Sequence, residues 1–224
     1  MDKSGERQFE IARRAMVDGQ LKPWNVTDER VLEAMGRVPR ERFVPKSLRG
    51  LAYVDEDLEV APGRYLMEPR VLARLIMAAE IGSGDAVLDI GCATGYSSAV
   101  LASLADAVVA LEEDADLAAF AGEALADAGI DNVAVIEGRL REGVPAEAPF
   151  DVIFVNGAVE EVPAAFIDQL ADGGRLVCVL RDGDRSRGWL MVKSEGAAGG
   201  RPLFDAFTPL LPGFSRPRGF VFAA

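Results

Sequence analysis

The chain has 224 residues, half of them hydrophobic, and a formal net charge of −12 from 24 basic and 36 acidic residues. That length suits one domain with a small addition and a substantial core, and the acidic balance repels phosphate backbones, which argues against a general nucleic-acid binder. No histidine occurs and the two cysteines, Cys92 and Cys178, form no CxxC pair, which excludes a histidine general base, a histidine-containing triad, a histidine-ligated zinc site and a dense disulfide scaffold.

Two cysteines without a disulfide framework fit a reducing cytoplasm. The charged start, Met1 to Met16, lacks the apolar centre of a signal peptide, and no run of about 18 apolar residues predicts a membrane span. Phe9, Ile11, Ala12, Ala15 and Met16 predict one face of a first helix. A second helix is expected from Asp28 to Val38, with Thr27 as N-cap, Val26 stapled to Val31 and Pro39 as the stop. Gly50 to Pro69, rich in glycine, proline and acids, reads as an extended crossing segment or loop.

From Val71 helix and strand patterns alternate. Helices are expected over 71–79, 94–104, 116–128 (with Gly129 as a C-cap) and 162–170. Strands are expected over 86–90, 107–111, 133–136, 151–155 and 175–180. Short apolar strands separated by helices imply a mainly parallel sheet covered on both faces. The stretches 189–193 and 217–222 read as edge strands, and Gly196 to Gly200 as a small flexible turn. Arg181, Arg185 and Arg187 make a local basic spot that reads as a solvated turn.

The informative stretch is Val87-Leu88-Asp89-Ile90-Gly91-Cys92-Ala93-Thr94-Gly95-Tyr96: a strand ending in an acid, a glycine turn, then a helix. Gly91 and Gly95 permit a tight turn and close approach of a ligand. Asp89 falls at the carboxyl end of a strand, where open α/β sheets bind ligands. Glu112 follows the next strand, about 20 residues past the turn, where a carboxylate accepts both ribose hydroxyls. A dinucleotide site carries GxGxxG, with its pyrophosphate on the helix N-terminus. Here the spacing is GxxxG, Ala93 stands at the second glycine, and Asp89 is a poor neighbour for pyrophosphate. It is a good neighbour for the cationic amino group of S-adenosylmethionine, so the methyl donor is favoured over a nicotinamide dinucleotide. The alternative is that Gly91 and Gly95 only allow close strand–helix packing.

The chain also resembles the protein-L-isoaspartate O-methyltransferase family over roughly residues 10 to 182. The resemblance runs through Met16-Val17 with Gln20-Leu21, Asp28-Glu29-Arg30-Val31-Leu32-Glu33-Ala34-Met35, Val38-Pro39-Arg40-Glu41-Arg42-Phe43-Val44-Pro45 and Ala52-Tyr53. It continues through the turn ending at Gly95-Tyr96, Leu111-Glu112, Ala148-Pro149-Phe150-Asp151, Gln169-Leu170 and Gly173-Gly174-Arg175-Leu176-Val177. It implies an α/β, Rossmann-like S-adenosylmethionine-dependent methyltransferase fold. An N-terminal helical addition and substrate loop (1–69) would precede a mainly parallel core with C-terminal edge strands (70–224). It further implies that Asp89, Gly91, Cys92 and Gly95 surround the methionine part of S-adenosylmethionine and Glu112 its ribose. The implied reaction is methyl esterification of the carboxyl group of isoaspartyl residues in damaged proteins, with a protein or peptide as partner.

Two family patterns are altered. The substrate loop, GQTISQP in the family, is Gly63-Arg64-Tyr65-Leu66-Met67-Glu68-Pro69, so Met67 stands at the serine that contacts the substrate carboxylate. Methionine donates no hydrogen bond; Arg64 offers a replacement cation. Either Tyr65, Leu66 and Met67 pack as core or the pocket is repurposed. The family's GDGxxG is Glu137-Gly138-Arg139-Leu140-Arg141-Glu142-Gly143, in which Arg139 either stacks on the adenine or points into solvent. Asn156 is a further pocket candidate, or a plain strand-end turn. The alternatives to isoaspartyl methylation are a methyltransferase with another acceptor, a non-catalytic donor-binding or interaction protein of the same fold, and, remotely, a dehydrogenase.

Overall fold

The computed structural model describes residues 3–216. Helix α1 (Lys3–Met16) turns Phe9, Ala12, Arg13 and Met16 inward, while Ile11 is 62% exposed and Ala15 is exposed. The inward face thus differs from the one expected through Ile11 and Ala15. Arg13 fixes the rotation: it donates to the Tyr53 hydroxyl at 2.9 Å and to Glu41 at 3.2 Å. Helix α2 (Glu29–Arg37) is capped by Asp28, whose carboxylate accepts from the Arg30 amide at 2.9 Å. The expected cap, Thr27, instead turns its amide toward the Met77 sulfur. Pro39 follows the helix, and Val26 and Val31 are both buried. The segment 50–69 contains a short antiparallel hairpin, β1 (Leu58–Ala61) and β2 (Arg64–Leu66), turning at Gly63 with φ +71°.

The core elements follow in order: α3 (Pro69–Ala79), β3 (Ala86–Ile90), α4 (Tyr96–Ala102), β4 (Ala107–Glu112), α5 (Ala115–Asp127), β5 (Val133–Glu137), β6 (Phe150–Val159), α6 (Ala164–Gln169), β7 (Leu170–Asp182), β8 (Arg185–Ser194) and β9 (Ala197–Asp205). Among the described residues they form a seven-stranded sheet of order β5-β4-β3-β6-β7-β8-β9, parallel from β5 to β7 and antiparallel from β7 to β9. The mainly parallel, doubly covered α/β architecture is as expected. The tail differs: Glu195 and Gly196 make the hairpin turn, and Ala197 already begins β9, so 196–200 is mostly edge strand. Backbone pairing with β8 outweighs the small side chains there. The expected strand 217–222 lies outside the described residues.

The strands from β3 to β7 carry apolar side chains on both faces. Val87, Val152, Phe154, Val177 and Val179 join the core under the N-terminal helices. Leu88, Ile90, Ile153, Val155, Leu176 and Cys178 join a second core with Phe166, Leu211 and Phe214. A continuous apolar run is what a strand buried on both sides requires. Chain order reverses between β3 and β6, one side running to β4 and β5 and the other to β7. Such a switch point opens a crevice at the carboxyl ends of the strands, because the crossover helices leave in opposite directions.

Candidate active site

At that crevice β3 ends in Asp89 and Ile90, and the chain turns through Gly91 (φ +76°), Ala93 (φ +50°) and Gly95 (φ +89°) into α4. A side chain on Gly95 would meet Ala121 of α5 at 3.1 Å, so this glycine serves helix packing. One on Gly91 would meet Leu211 at 3.1 Å and the Arg64 guanidinium at 3.3 Å, so this glycine faces the crevice. Cys92 is buried and clusters with Ala110 and Ala121.

Asp89 is fully buried. Its Oδ2 accepts hydrogen bonds from the Ser97 and Ser98 hydroxyls at 2.6 Å each, and Ser97 in turn receives one from Asn156 Nδ2 at 2.8 Å. Oδ1 of Asp89 and Oδ1 of Asn156 are buried with no hydrogen-bond partner. Burial pushes the Asp89 carboxyl up to about 6, against the two serine hydroxyls, which favour its charged form. Asp89 pairs with Ala110 across the β3–β4 ladder, and Glu112 lies two residues further along β4. Side chains alternate along a strand, so the two carboxylates leave the same face.

Glu112 is also fully buried. It accepts from the amides of Ala93 (2.8 Å), Glu113 (2.9 Å) and Asp114 (3.1 Å). Arg64 completes its environment: Nη2 donates to Oε2 at 2.6 Å and Nη1 to Oε1. The fork matches the carboxylate atom for atom. Leu211, from the C-terminal segment, is held by its amide on the Ala158 carbonyl at 2.9 Å. Its side chain fills the space where Gly157 lacks one, with Cγ 2.5 Å from an ideal Cβ.

In the substrate loop, Gly63 is exposed, Tyr65 half-buried, and Leu66 and Met67 buried. Tyr65, Met67, Asn156 and Leu211 surround a hollow of about 10 Å³, the size of one water. Two residues missed in the sequence shape this loop. Arg40, fully buried, donates to the carbonyls of Ala52 (2.7 Å) and Met67 (2.8 Å) and stacks over Tyr96 with 4.7 Å to the ring centre. Its signal was present in the Val38–Pro45 run, as a family mark without a role. Asp57 accepts from the Glu68 amide at 2.9 Å and the Thr208 hydroxyl at 3.1 Å, and burial pushes it up to about 6. It was one acid among many in a segment read as loop.

Glu68, next to Met67, and Phe207, next to Thr208, border a separate open cleft of about 850 Å³ that also includes Trp24, Arg70, Arg74 and Phe204. Arg185 and Arg187 of the basic spot line it, and Arg187 pairs with Asp205 at 3.3 Å. Arg139 is exposed and pairs with Glu142 at 3.2 Å. No helix among the described residues is long and apolar enough to cross a membrane.

Comparison with known proteins agrees with this geometry. The family model described as Protein-L-isoaspartate(D-aspartate) O-methyltransferase (PCMT) matches residues 12–198. The chain is 46% identical over 175 residues to protein-L-isoaspartate O-methyltransferase 2 of Anaeromyxobacter sp. (strain Fw109-5), covering 78% of this chain and 72% of the relative. It is 39% identical over 204 residues to the Koribacter versatilis protein-L-isoaspartate O-methyltransferase, covering 91% and 92%. A solved protein-L-isoaspartate O-methyltransferase superposes with a TM-score of 0.78 at 28% identity, over 90% of this chain and 66% of that one. A Plasmodium falciparum homologue solved with S-adenosyl-L-homocysteine gives 0.77 at 22% identity, over 89% and 97%, a likeness of fold. This chain therefore belongs to the protein-L-isoaspartate (D-aspartate) O-methyltransferase family.

Proposed function

We propose that this protein is an S-adenosylmethionine-dependent O-methyltransferase that esterifies the α-carboxyl group left free in isoaspartyl residues of damaged proteins. The observation that carries this reading is the pair Asp89 and Glu112, two buried carboxylates leaving one face of the sheet at its switch point. The donor set fits the cofactor. Asp89 Oδ1 and Asn156 Oδ1 are buried acceptors without partners, suited to a cationic amino group. Glu112 suits a ribose diol once the Arg64 guanidinium leaves it, and Gly91, without a side chain, lets a ligand come close. Cys92 contributes its backbone to the turn, and Arg139, exposed and paired with Glu142, is the residue we assign to the adenine. When bound, S-adenosylmethionine supplies a methyl group already activated by its sulfonium charge.

The chain's own task is then positioning. Arg40 grips the Met67 carbonyl and so shapes the loop 63–67 against the crevice. Leu66 and Met67, buried, keep water from the place where methyl transfer occurs. An acceptor carboxyl is ionised at neutral pH and needs no base, so a chain without histidine is competent for this chemistry. Orientation of bound reactants supplies roughly 7–11 kcal/mol where the geometry is right. The wide cleft bordering Glu68 and Phe207 gives room for the polypeptide that carries the acceptor.

A second reading is favoured by Met67: a buried thioether in place of a hydroxyl removes a donor to the acceptor carboxylate and points to methyl transfer onto a different group. A labelled-methyl assay with paired aspartyl and isoaspartyl peptides decides between them. Isoaspartyl-selective incorporation supports the first reading, and silence toward both peptides, with donor binding retained, supports the second.

A further inference from the structure

We infer that Arg64 is a built-in competitor for the donor's ribose, so that the protein closes its own cofactor site. The inference rests on the donor site assigned above and concerns who occupies it. Arg64 comes from the β2 start of the hairpin, 48 residues before Glu112. Its side chain is 7% exposed, and its two terminal nitrogens take both oxygens of the carboxylate assigned to the ribose. A carboxylate that already accepts from the Ala93, Glu113 and Asp114 amides and from both prongs of a guanidinium has no acceptor direction left for two sugar hydroxyls.

The closure is two-sided. Arg64 Nη2 lies 3.3 Å, and Leu211 3.1 Å, from the position a Gly91 side chain would take. These two residues therefore stand where a ligand would approach the open side of Gly91. Leu211 is locked in turn by its amide on Ala158, and the Ala158 amide donates to Pro209. Meanwhile Asp89 Oδ1 stays buried without a partner. The cationic half of the donor has its acceptor waiting, and the sugar half finds its acceptor taken.

A buried bidentate pair is a discrete arrangement: either the guanidinium sits on Glu112 or the ribose does. Donor affinity is then the intrinsic affinity multiplied by the fraction of molecules whose Arg64 has left. Anything that draws Arg64 out, an acceptor carboxylate included, raises that fraction and promotes donor binding by mass action.

The test is calorimetric titration of S-adenosylhomocysteine into wild type, Arg64→Gln and Leu211→Ala, each first checked for a cooperative melt. Glutamine keeps a neutral donor beside Glu112 while removing the charge and the fork. The expected result is a Kd at least tenfold lower in Arg64→Gln than in wild type, with a smaller gain in Leu211→Ala. Equal or weaker binding by the folded variants overturns the competitor while leaving the donor site standing. Silence of all three proteins overturns both. If Arg64→Gln does not fold, Leu211→Ala carries the comparison. Amide hydrogen exchange over residues 58–66 of wild type supplies a readout without mutation: saturating ligand should speed exchange there as the hairpin loses its anchor, and unchanged exchange at saturation counts against the inference.

Discussion

Asn156 on β6 and Asp89 on β3 are joined through a single hydroxyl: Asn156 donates to Ser97 Oγ at 2.8 Å, and Ser97 donates to Asp89 Oδ2 at 2.6 Å. The link crosses the switch point of the sheet and ties the Asp89 carboxylate to a side chain of the neighbouring strand. A hydrogen bond to a charged group contributes about 1.5–3 kcal/mol. Ser97→Ala should therefore destabilise the fold by about that much at pH 8, where Asp89 is ionised, and by clearly less at pH 4.5, where it is protonated. Urea unfolding at the two pH values checks this; an equal loss at both would mean that Ser97 acts through packing alone.

Asp89 itself gives a pH signature. Its folded pKa of about 6 lies above the ordinary carboxyl value of about 3.9. The fold thus favours the protonated form, and the associated stability is present below pH 4 and lost as pH rises through 6. The difference amounts to about 3 kcal/mol at most. Asp89→Asn should be more stable than wild type at pH 7.5, and the two should converge at pH 4. The same variant should lose affinity for S-adenosylmethionine, since an amide presents no charge to an ammonium group. Denaturant melts across pH 4–8 with parallel titration calorimetry read both halves.

Met67→Ser restores a hydroxyl to the substrate loop. One hydrogen bond to a carboxylate, at about 1.5–3 kcal/mol, corresponds to a gain in kcat/KM on isoaspartyl peptides of roughly ten- to a hundredfold. Met67 is 2% exposed, so shrinking it leaves a cavity that costs about 2–4 kcal/mol. A labelled-methyl assay and a thermal melt on one preparation should show activity rising while Tm falls. A fall in both would mean that the thioether, not a hydroxyl, suits this pocket.

Ala93 occupies the left-handed region at φ +50° because its amide must reach Glu112 at 2.8 Å. An L-residue there costs about 1–2 kcal/mol, and glycine's extra unfolded freedom returns about 0.5–1 of that. Ala93→Gly should stabilise the protein by up to about 1 kcal/mol, a gain read as a raised denaturant midpoint.

The parallel sheet was legible because its strands are apolar on both faces and alternate with helical patterns; β3 falls at the residues expected, 86–90. Asp89, Gly91, Gly95 and Glu112 could be placed together because a strand end, a turn and the next strand end are fixed by local sequence. What was not legible came from distance. The hairpin at 58–66 pairs residues with weak strand patterning, and Asp57 just before it is held by Thr208 of the C-terminal segment. The Arg64–Glu112 pair spans 48 residues, and nothing in either neighbourhood announces the other. Thr27 and Asp28 are both good caps by type; Asp28 takes the cap, while the Thr27 amide and hydroxyl turn to the Met77 sulfur. Arg40 shows the same limit, because a conspicuous cation reads as surface until Tyr96 and two carbonyls enclose it.

Leu211 and Thr208, from the segment that follows β9, reach back to Gly91, Gly157 and Asp57. Translation delivers the strands and helices of the sheet first, and domains begin to organise from the N-terminal side as they emerge. A ribosome-bound intermediate ending before residue 208 holds Asp89 and Glu112 but has no Leu211 to cover the crevice. The nascent chain is thus more open to small metabolites until residues 208–211 have emerged, and the arrival of that segment is the moment at which its crevice acquires a cover.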